Sequence, residues 1–165
     1  MLNPTRPLRA IVSILTLAAF LLPFAAATYT DGHVVNITGL RLSLGPNPGS
    51  KNASPELEAG QFDREPYALV ALIFAVIILA TSVVKKILGA LLGTAAGMFG
   101  IVFLFVLIYN MLVDAGSGEF GLRNLAIAYG YWIAAAGFCL SIASFPMAVR
   151  YGEVSARKSG TKKKR

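Results

Sequence analysis

Acidic, basic and histidine side chains are absent from four long apolar stretches of this 165-residue chain. No Asp, Glu, Lys, Arg or His occurs in residues 10–27, 67–84, 87–113 or 127–149. A charged group at the centre of a bilayer costs several kcal/mol and is retained where transport or a proton relay uses it. Their absence argues against an ion-coupled transporter.

The residues and motifs that enzymes and metal sites need are equally scarce. The chain has one cysteine, Cys139, so no disulfide can form within it, and its one histidine, His33, has only Asp31 as a nearby partner in sequence. No CxxC, HExxH, phosphate-binding loop or nucleophile elbow occurs. We therefore expect no enzyme, no catalytic residue, no cofactor and no metal site. The outer loop has four acidic residues, which we expect to be hydrated by solvent rather than to bind a cation: Glu56, Glu58, Asp63 and Glu65.

The chain is instead rich in long apolar segments. The chain is 56% hydrophobic and 14% charged, whereas about a quarter of a soluble domain is charged. Crossing a bilayer takes about 20 apolar residues of helix, so each stretch predicts a span. One helix over residues 67–113 would be about 70 Å long, more than twice the hydrocarbon thickness. We therefore predict two antiparallel spans that turn at Lys85 and Lys86.

The charges on the two sides of these spans differ in sign. If all four stretches cross, eleven of the fifteen Lys and Arg residues fall on one side and seven of the eight acids on the other. The positive-inside bias then predicts that both termini lie on the cytoplasmic side of a cell or plasma membrane. Because the basic residues lie at membrane edges and in the tail rather than on one folded face, we expect no nucleic-acid partner.

The first stretch has two interpretations. Arg6, Arg9, the apolar run and the three alanines before Thr28 also describe a secretory signal peptide. Both interpretations leave the next loop outside. The length of the run favours a retained helix.

The outer loop, residues 28–66, predicts a small β element. β-prone residues 28–30 and 33–37 flank Asp31-Gly32, a typical two-residue hairpin turn. Residues 40–44 alternate leucine with Arg41 and Ser43, which predicts a further strand. The predicted fold class is an all-α integral membrane protein, a four-transmembrane-helix bundle with a small extracytoplasmic β-hairpin or sheet between helices 1 and 2. Residues 1–149 form the membrane domain, and residues 150–165 form a basic cytoplasmic tail.

Small residues recur along the third and fourth spans. Glycines four residues apart let helices approach closely in lipid. They predict either a dimer seam or, as we favour, close packing of the third span against its neighbours in the same chain. The predicted packing residues are Gly89, Gly93, Gly97, Gly100, Gly130 and Ala134.

Two further regions are candidates for interaction. The outer loop offers a partner surface at His33, Leu40, Arg41, Leu42 and Leu44. The tail offers a membrane-surface cluster at Lys162, Lys163, Lys164 and Arg165. Anionic headgroups attract each such cation by about 1 kcal/mol. Contact with an acidic partner and a dilysine retrieval signal are the alternatives for the tail.

The order of spans, outer strands, short inner turn, second outer loop and inner tail resembles that of claudin-like and other tetraspan membrane proteins. The stretch Asn36-Ile37-Thr38-Gly39-Leu40 stands where claudins have a Gly-Leu-Trp signature and a cysteine pair, but the Trp and both cysteines are missing. The resemblance therefore implies topology and not paracellular sealing. The segments LLPF, TGLRLSLG and GYW are also similar to small four-span bacterial membrane proteins of unknown role.

Together these features predict a non-enzymatic, multi-pass membrane protein with a structural or interaction role through its outer loop and helix faces. Its expected partners are the lipid bilayer and either a second copy or another membrane protein. The alternative is a small oligomeric transporter or channel. Its pore would be lined by the polar residues within the spans: Thr81, Thr94, Asn110 and Ser141.

Overall fold

The fold is mostly helical with one small sheet, as the sequence predicts. A computed structural model describes residues 5–29, 32–45, 65–84, 87–117 and 122–144. Its helices are α1 (Thr5–Ala19), α2 (Gly39–Leu44), α3 (Pro66–Val83), α4 (Ile87–Ser117) and α5 (Tyr129–Ser144). Its strands are β1 (Pro23–Tyr29), β2 (Val34–Thr38) and β3 (Leu122–Ile127).

Helices α3 and α4 form a long antiparallel pair. The α3 helix and the Leu88–Val113 part of α4 are each long and apolar enough to cross a membrane. Phe74 stacks on Phe99 and Phe103, with ring centroids 5.6 and 5.9 Å apart. At the other end of α3, Gly89 lies against Thr81. The predicted turn residues between the two helices, 85 and 86, lie outside the described residues.

The first apolar stretch is not one helix. Helix α1 ends at Ala19, three turn-type hydrogen bonds follow, and the chain enters β1 at Pro23. Proline has no N–H to donate and disfavours helical geometry in the preceding residue, so the helix cannot pass this point. The fourth apolar stretch also begins differently, because β3 extends to Ile127 before α5 starts. Helices α1 and α5 are therefore shorter apolar helices.

The sheet has the order β2-β1-β3, with both pairs antiparallel. Gly32, in the predicted hairpin turn, has φ of 87°, a conformation that favours glycine. The first strand of the hairpin begins at residue 23 instead of 28, and β3 comes from a segment that the sequence had suggested was a flexible outer loop followed by a span. Side chains alternate between the two faces. One face joins the core: Ala25, Ala27, Val35, Ile37, Leu125 and Ile127.

The predicted strand at residues 40–44 is wrong, because these residues form α2. The Thr38 side chain accepts a hydrogen bond from the Arg41 backbone N–H at 3.2 Å, which caps the helix N-terminus. At the other end Gly45, with φ of 82°, donates to the Arg41 carbonyl at 2.9 Å. Capping residues at both ends thus outweigh the alternating pattern. The short helix packs on α3.

The four longer helices lie against one another in antiparallel neighbouring pairs. The Ser13 hydroxyl of α1 is 3.5 Å from the Ile78 carbonyl of α3. Gly97 of α4 lies against Phe138 of α5, and Gly137 of α5 lies against Thr16 of α1. We call the end of these helices nearest β1, β2 and β3 the sheet end, and the end where α3 meets α4 the turn end.

Candidate functional site

The helices present an apolar surface to their surroundings. Every exposed side chain that the structure describes on α1, α3, α4 and α5 is aliphatic, aromatic, methionine or cysteine. Ile14, Phe105 and Leu140 are 56%, 61% and 55% exposed. Hydroxyl groups lie inside instead, with Ser13 and Thr16 fully buried. A water-soluble protein rarely exposes so large a continuous apolar surface, so these faces need an apolar partner.

Aromatic residues with a polar group cluster near the sheet end. Tyr129 and Trp132 are exposed at the start of α5, and Tyr109 is exposed on the last turns of α4. Tyr and Trp prefer the interface between lipid tails and water, where the ring is in lipid and the polar group is wet. Their level therefore agrees with an interface near the sheet.

The polar residues proposed to line a pore use their hydroxyls locally. Thr81 donates to the Ile78 carbonyl at 3.0 Å, and Thr94 donates to the Ala90 carbonyl at 2.9 Å. Among the described residues no buried side-chain nitrogen or oxygen is without a hydrogen-bond partner. Asn110 lies about 24 Å along α4 from Thr94, towards the sheet end. Asn110 is therefore separated from Thr94, whereas Thr81 and Ser141 lie beside Gly93 and Gly97, on successive turns of α4.

The predicted packing glycines all lie against other parts of this chain. At the turn end a Cβ on Gly89 would be 2.9 Å from the Thr81 carbonyl oxygen, and a Cβ on Gly93 would be 3.3 Å from Arg9. Further along α4, Gly97 and Gly100 face α5. On α5, Gly130 faces the backbone at Pro23, and Ala134 is fully buried.

Arg9 links three helices at the turn end. Its Nη2 donates to the Gly89 carbonyl at 2.7 Å and to the Thr81 carbonyl at 3.3 Å. The Thr81 carbonyl lies at the last turn of α3, and the C-terminus of a helix attracts positive charge. The Gly89 carbonyl lies at the first turn of α4. Sequence reasoning used Arg9 only to orient the chain and missed this role. The available signal was a lone arginine at the start of an apolar helix.

A cavity of about 130 Å³ lies beside Arg9. Where Gly137 meets Thr16, α1 and α5 are in contact, but nearer the turn end they border the cavity from opposite sides. Apart from Arg9 and three serines, its lining is aliphatic or glycine. The lining residues are Leu8, Arg9, Val12, Ser13, Ile78, Gly93, Leu140, Ser141, Ala143 and Ser144.

The five residues of the predicted partner surface are divided by the fold. His33 and Leu44 are exposed, and Leu40 and Arg41 are half-buried. Leu42 is 1% exposed and belongs to the core, so it offers no surface to a partner.

Other predicted residues are not described. The tail cluster of Lys162, Lys163, Lys164 and Arg165 lies outside the described residues, as do Glu56, Glu58 and Asp63. Within the described part of the chain, no group of three His, Cys, Asp or Glu side chains is placed to hold a metal ion.

Comparison of the chain with protein-family models, with curated proteins and with solved structures finds no match.

Proposed function

We propose that this chain is a multi-pass integral membrane protein in which α1, α3, α4 and α5 cross the bilayer as a four-helix bundle. The observation that supports this is the apolar outer surface that all four helices share. In the apolar windows of α3 and α4 only 33% of the residues are buried, whereas the core helix of a soluble protein is mostly buried. Lipid tails are the apolar partner that these faces fit.

Helix lengths are compatible with this arrangement. Helix α4 has 31 residues and is about 46 Å long, so it exceeds the hydrocarbon core of about 30 Å and extends beyond it at the sheet end. Helix α1 has 15 residues and is about 22 Å long. The turn after α1 and the start of the sheet complete its crossing, since the central strand β1 is hydrogen-bonded on both sides.

Charge supports placing the turn end and both termini in the cytoplasm. Lys85 and Lys86 join α3 to α4 in sequence, and Arg6 and Arg9 begin α1. The positive-inside bias favours this orientation. Beyond the start of β1, the sheet then lies outside the cell, in agreement with the level of Tyr109, Tyr129 and Trp132.

The sheet also supports a retained first helix. A signal-peptide cut before Thr28 would divide β1, whose residues Ala25 and Ala27 are buried and which pairs with both other strands. Intact-mass measurement of the purified chain decides between the two forms. A mature mass beginning at Thr28 would overturn the four-span proposal.

We assign the protein a non-enzymatic interaction role, in keeping with the claudin-like resemblance in topology alone. Its outer sheet has a second, outward face made of small and polar residues, with Ala26, Asn36 and Ala126 in one cross-strand row and Thr28, Val34 and Asn124 in the next. Asn36, Val34, Asn124 and Ala126 are exposed. A flat face of this kind fits a second protein surface, either another copy or another membrane protein.

The test compares the sheet face with a lipid-facing position. In mild-detergent extracts of native membranes, native electrophoresis should show the wild-type chain in an assembly larger than the monomer. Val34→Glu should reduce that assembly to the monomer, while Leu21→Val, at another exposed position, should leave it intact. A monomeric wild-type chain would refute the interaction role.

A second measurement separates this role from the transporter alternative. Purified wild-type protein in liposomes should not release ions or small solutes above protein-free vesicles. Specific flux that Asn110→Leu abolishes would favour the transporter or channel.

A further inference from the structure

The cavity at the turn end opens sideways, between α1 and α5. Its floor is buried and comes from all four helices, namely Ser13, Ile78, Gly93 and Ser141. Its rim is exposed and comes from the two bordering helices, namely Leu8, Leu140 and Ala143. Since the outer faces of α1 and α5 are apolar, the opening lies on the surface that the proposed function assigns to lipid tails.

The size and lining of the cavity suit a short length of hydrocarbon. Its volume of about 130 Å³ is close to that of an engineered apolar cavity of about 150 Å³, which stays dry and binds benzene. Two of the three serine hydroxyls already donate within the chain, Ser13 to the Arg9 carbonyl at 2.7 Å and Ser144 to the Ser141 carbonyl at 2.7 Å. An aliphatic chain is therefore a better match than a sugar or nucleotide.

One edge of the cavity is positively charged. Two hydrogen bonds to carbonyls involve Nη2 of Arg9, and a guanidinium has three further N–H groups, on Nε and Nη1. Glu65 is the only acidic residue whose side chain the structure describes, and it lies at the opposite end of α3 from Thr81. Half-buried arginine is a preferred ligand for phosphate, which accepts bonds from its planar donors.

We propose that the cavity binds one phospholipid, with part of an acyl chain between α1 and α5 and its phosphate at the Arg9 guanidinium. This inference rests on the proposed membrane location. The ligand must join an apolar chain to an anion, because the aliphatic lining and the cation are adjacent. The anion is the lipid phosphate, since Arg9 is the charged side chain of the described lining.

The proposed binding of an acyl chain is tested by a substitution that fills the cavity. Ala143 is exposed on its rim, and Ala136 is exposed two turns away on the same helix but does not line it. The full-length chain in mild detergent is mixed with phosphatidylglycerol, and bound lipid is counted by native mass spectrometry. Ala143→Phe should lower lipid retention by about tenfold or more, because several methylene groups lose their site. Ala136→Phe should match the wild type.

The proposed binding of the phosphate at Arg9 is tested with Arg9→Met and with a second lipid, diacylglycerol with the same acyl chains. Wild-type protein should retain phosphatidylglycerol about tenfold better than diacylglycerol, and Arg9→Met should remove that preference. Millimolar inorganic phosphate should not displace the lipid. Equal retention of the two lipids, displacement by phosphate alone, or equal loss in Ala143→Phe and Ala136→Phe would each overturn the proposal.

Membrane location is measured separately, so that the two proposals fail independently. The wild type and all three variants should remain in the membrane pellet after an alkaline wash. Release of the wild type would refute the proposed function, whereas retention without lipid selectivity would refute only the lipid site.

Discussion

Gly100 of α4 lies against the ring of Phe138 of α5, and a Cβ at position 100 would overlap that ring. Phe138 is fully buried, so its ring has no open space to enter. The absence of a side chain at residue 100 therefore sets how closely α4 and α5 approach. This contact gives the helix-packing role of the glycines a direct test.

Gly100→Ala should lower the free energy of unfolding by about 1–3 kcal/mol, since the added methyl group overpacks a closed site. Phe138→Leu introduced with it should recover part of this loss, because the smaller side chain makes room. Unfolding in detergent, followed by circular dichroism, measures the change. Ala95→Val, on the exposed face of the same helix, is the control. Equal effects at positions 95 and 100 would contradict the packing described for α4 and α5.

The stacked rings between α3 and α4 should stabilise that pair. Phe74→Leu removes two stacking contacts and should cost about 1 kcal/mol. Phe105→Leu, at an exposed ring of α4, should change stability by less than about 0.5 kcal/mol. The same unfolding measurement applies. A larger loss at Phe105 than at Phe74 would show that the two helices meet through a different face.

The hydrogen bonds of Arg9 should keep the end of α3 and the start of α4 folded against each other. Arg9→Met removes two charge-assisted hydrogen bonds, worth about 1.5–3 kcal/mol together with the exposure of their carbonyls. Trypsin cleavage at Lys85 and Lys86 should then become about ten- to a hundredfold faster, since proteolysis follows the population of the opened state. Arg9→Lys should be intermediate, because one ammonium lacks the planar fork.

Arg41→Met, in α2 near the sheet end, should leave the cleavage rate at Lys85 and Lys86 unchanged. If the rate is also unchanged in Arg9→Met, then Arg9 does not brace the connection.

The proposed depth in the membrane can be read from thiol reactivity. Cys139 is exposed on α5, but there it should face lipid, which a charged maleimide does not enter. Leu44→Cys, at an exposed position of α2 outside the proposed sheet interface, should react rapidly in a Cys139→Ala background with the same reagent added outside intact cells. Both thiols should react alike after solubilisation in SDS. Fast labelling of Cys139 in intact membranes would refute a lipid-facing α5.

Sequence reasoning predicted α3 and α4 because their apolar runs are long and two lysines divide them. It could not predict where α1 ends. Ala10, in α1, and Ala26, in β1, belong to the same apolar run. A lipid-facing helix and a buried strand have similar composition, so hydropathy does not show where the helix ends and the strand begins. Pro23 was the local indication that the helix ends. The strand that follows it forms because residues 23–29 pair with residues 34–38 and 122–127, which a local pattern does not predict.

Local chemistry and long-range contacts account for the other differences. Alternating leucines predicted a strand at residues 40–44, but Thr38 and Gly45 cap a helix there. Arg9 donates to carbonyls of Thr81 and Gly89, 72 and 80 residues away, and no periodicity in the sequence relates these positions. The cavity beside Arg9 depends on the angle between α1 and α5, which is a property of packing alone.

The sheet ties together the two helices that border the cavity. The chain passes from α1 into β1 after residues 20–22, and from β3 into α5 after Ala128, while β1 and β3 are hydrogen-bonded to each other. The two helices are therefore fixed at the sheet end and touch again at Thr16 and Gly137. Beyond that contact, towards the turn end, the Arg9 hydrogen bonds hold α1 to α3 and α4. The width of the cavity is therefore set by the sheet and the Thr16–Gly137 contact on one side and by Arg9 on the other.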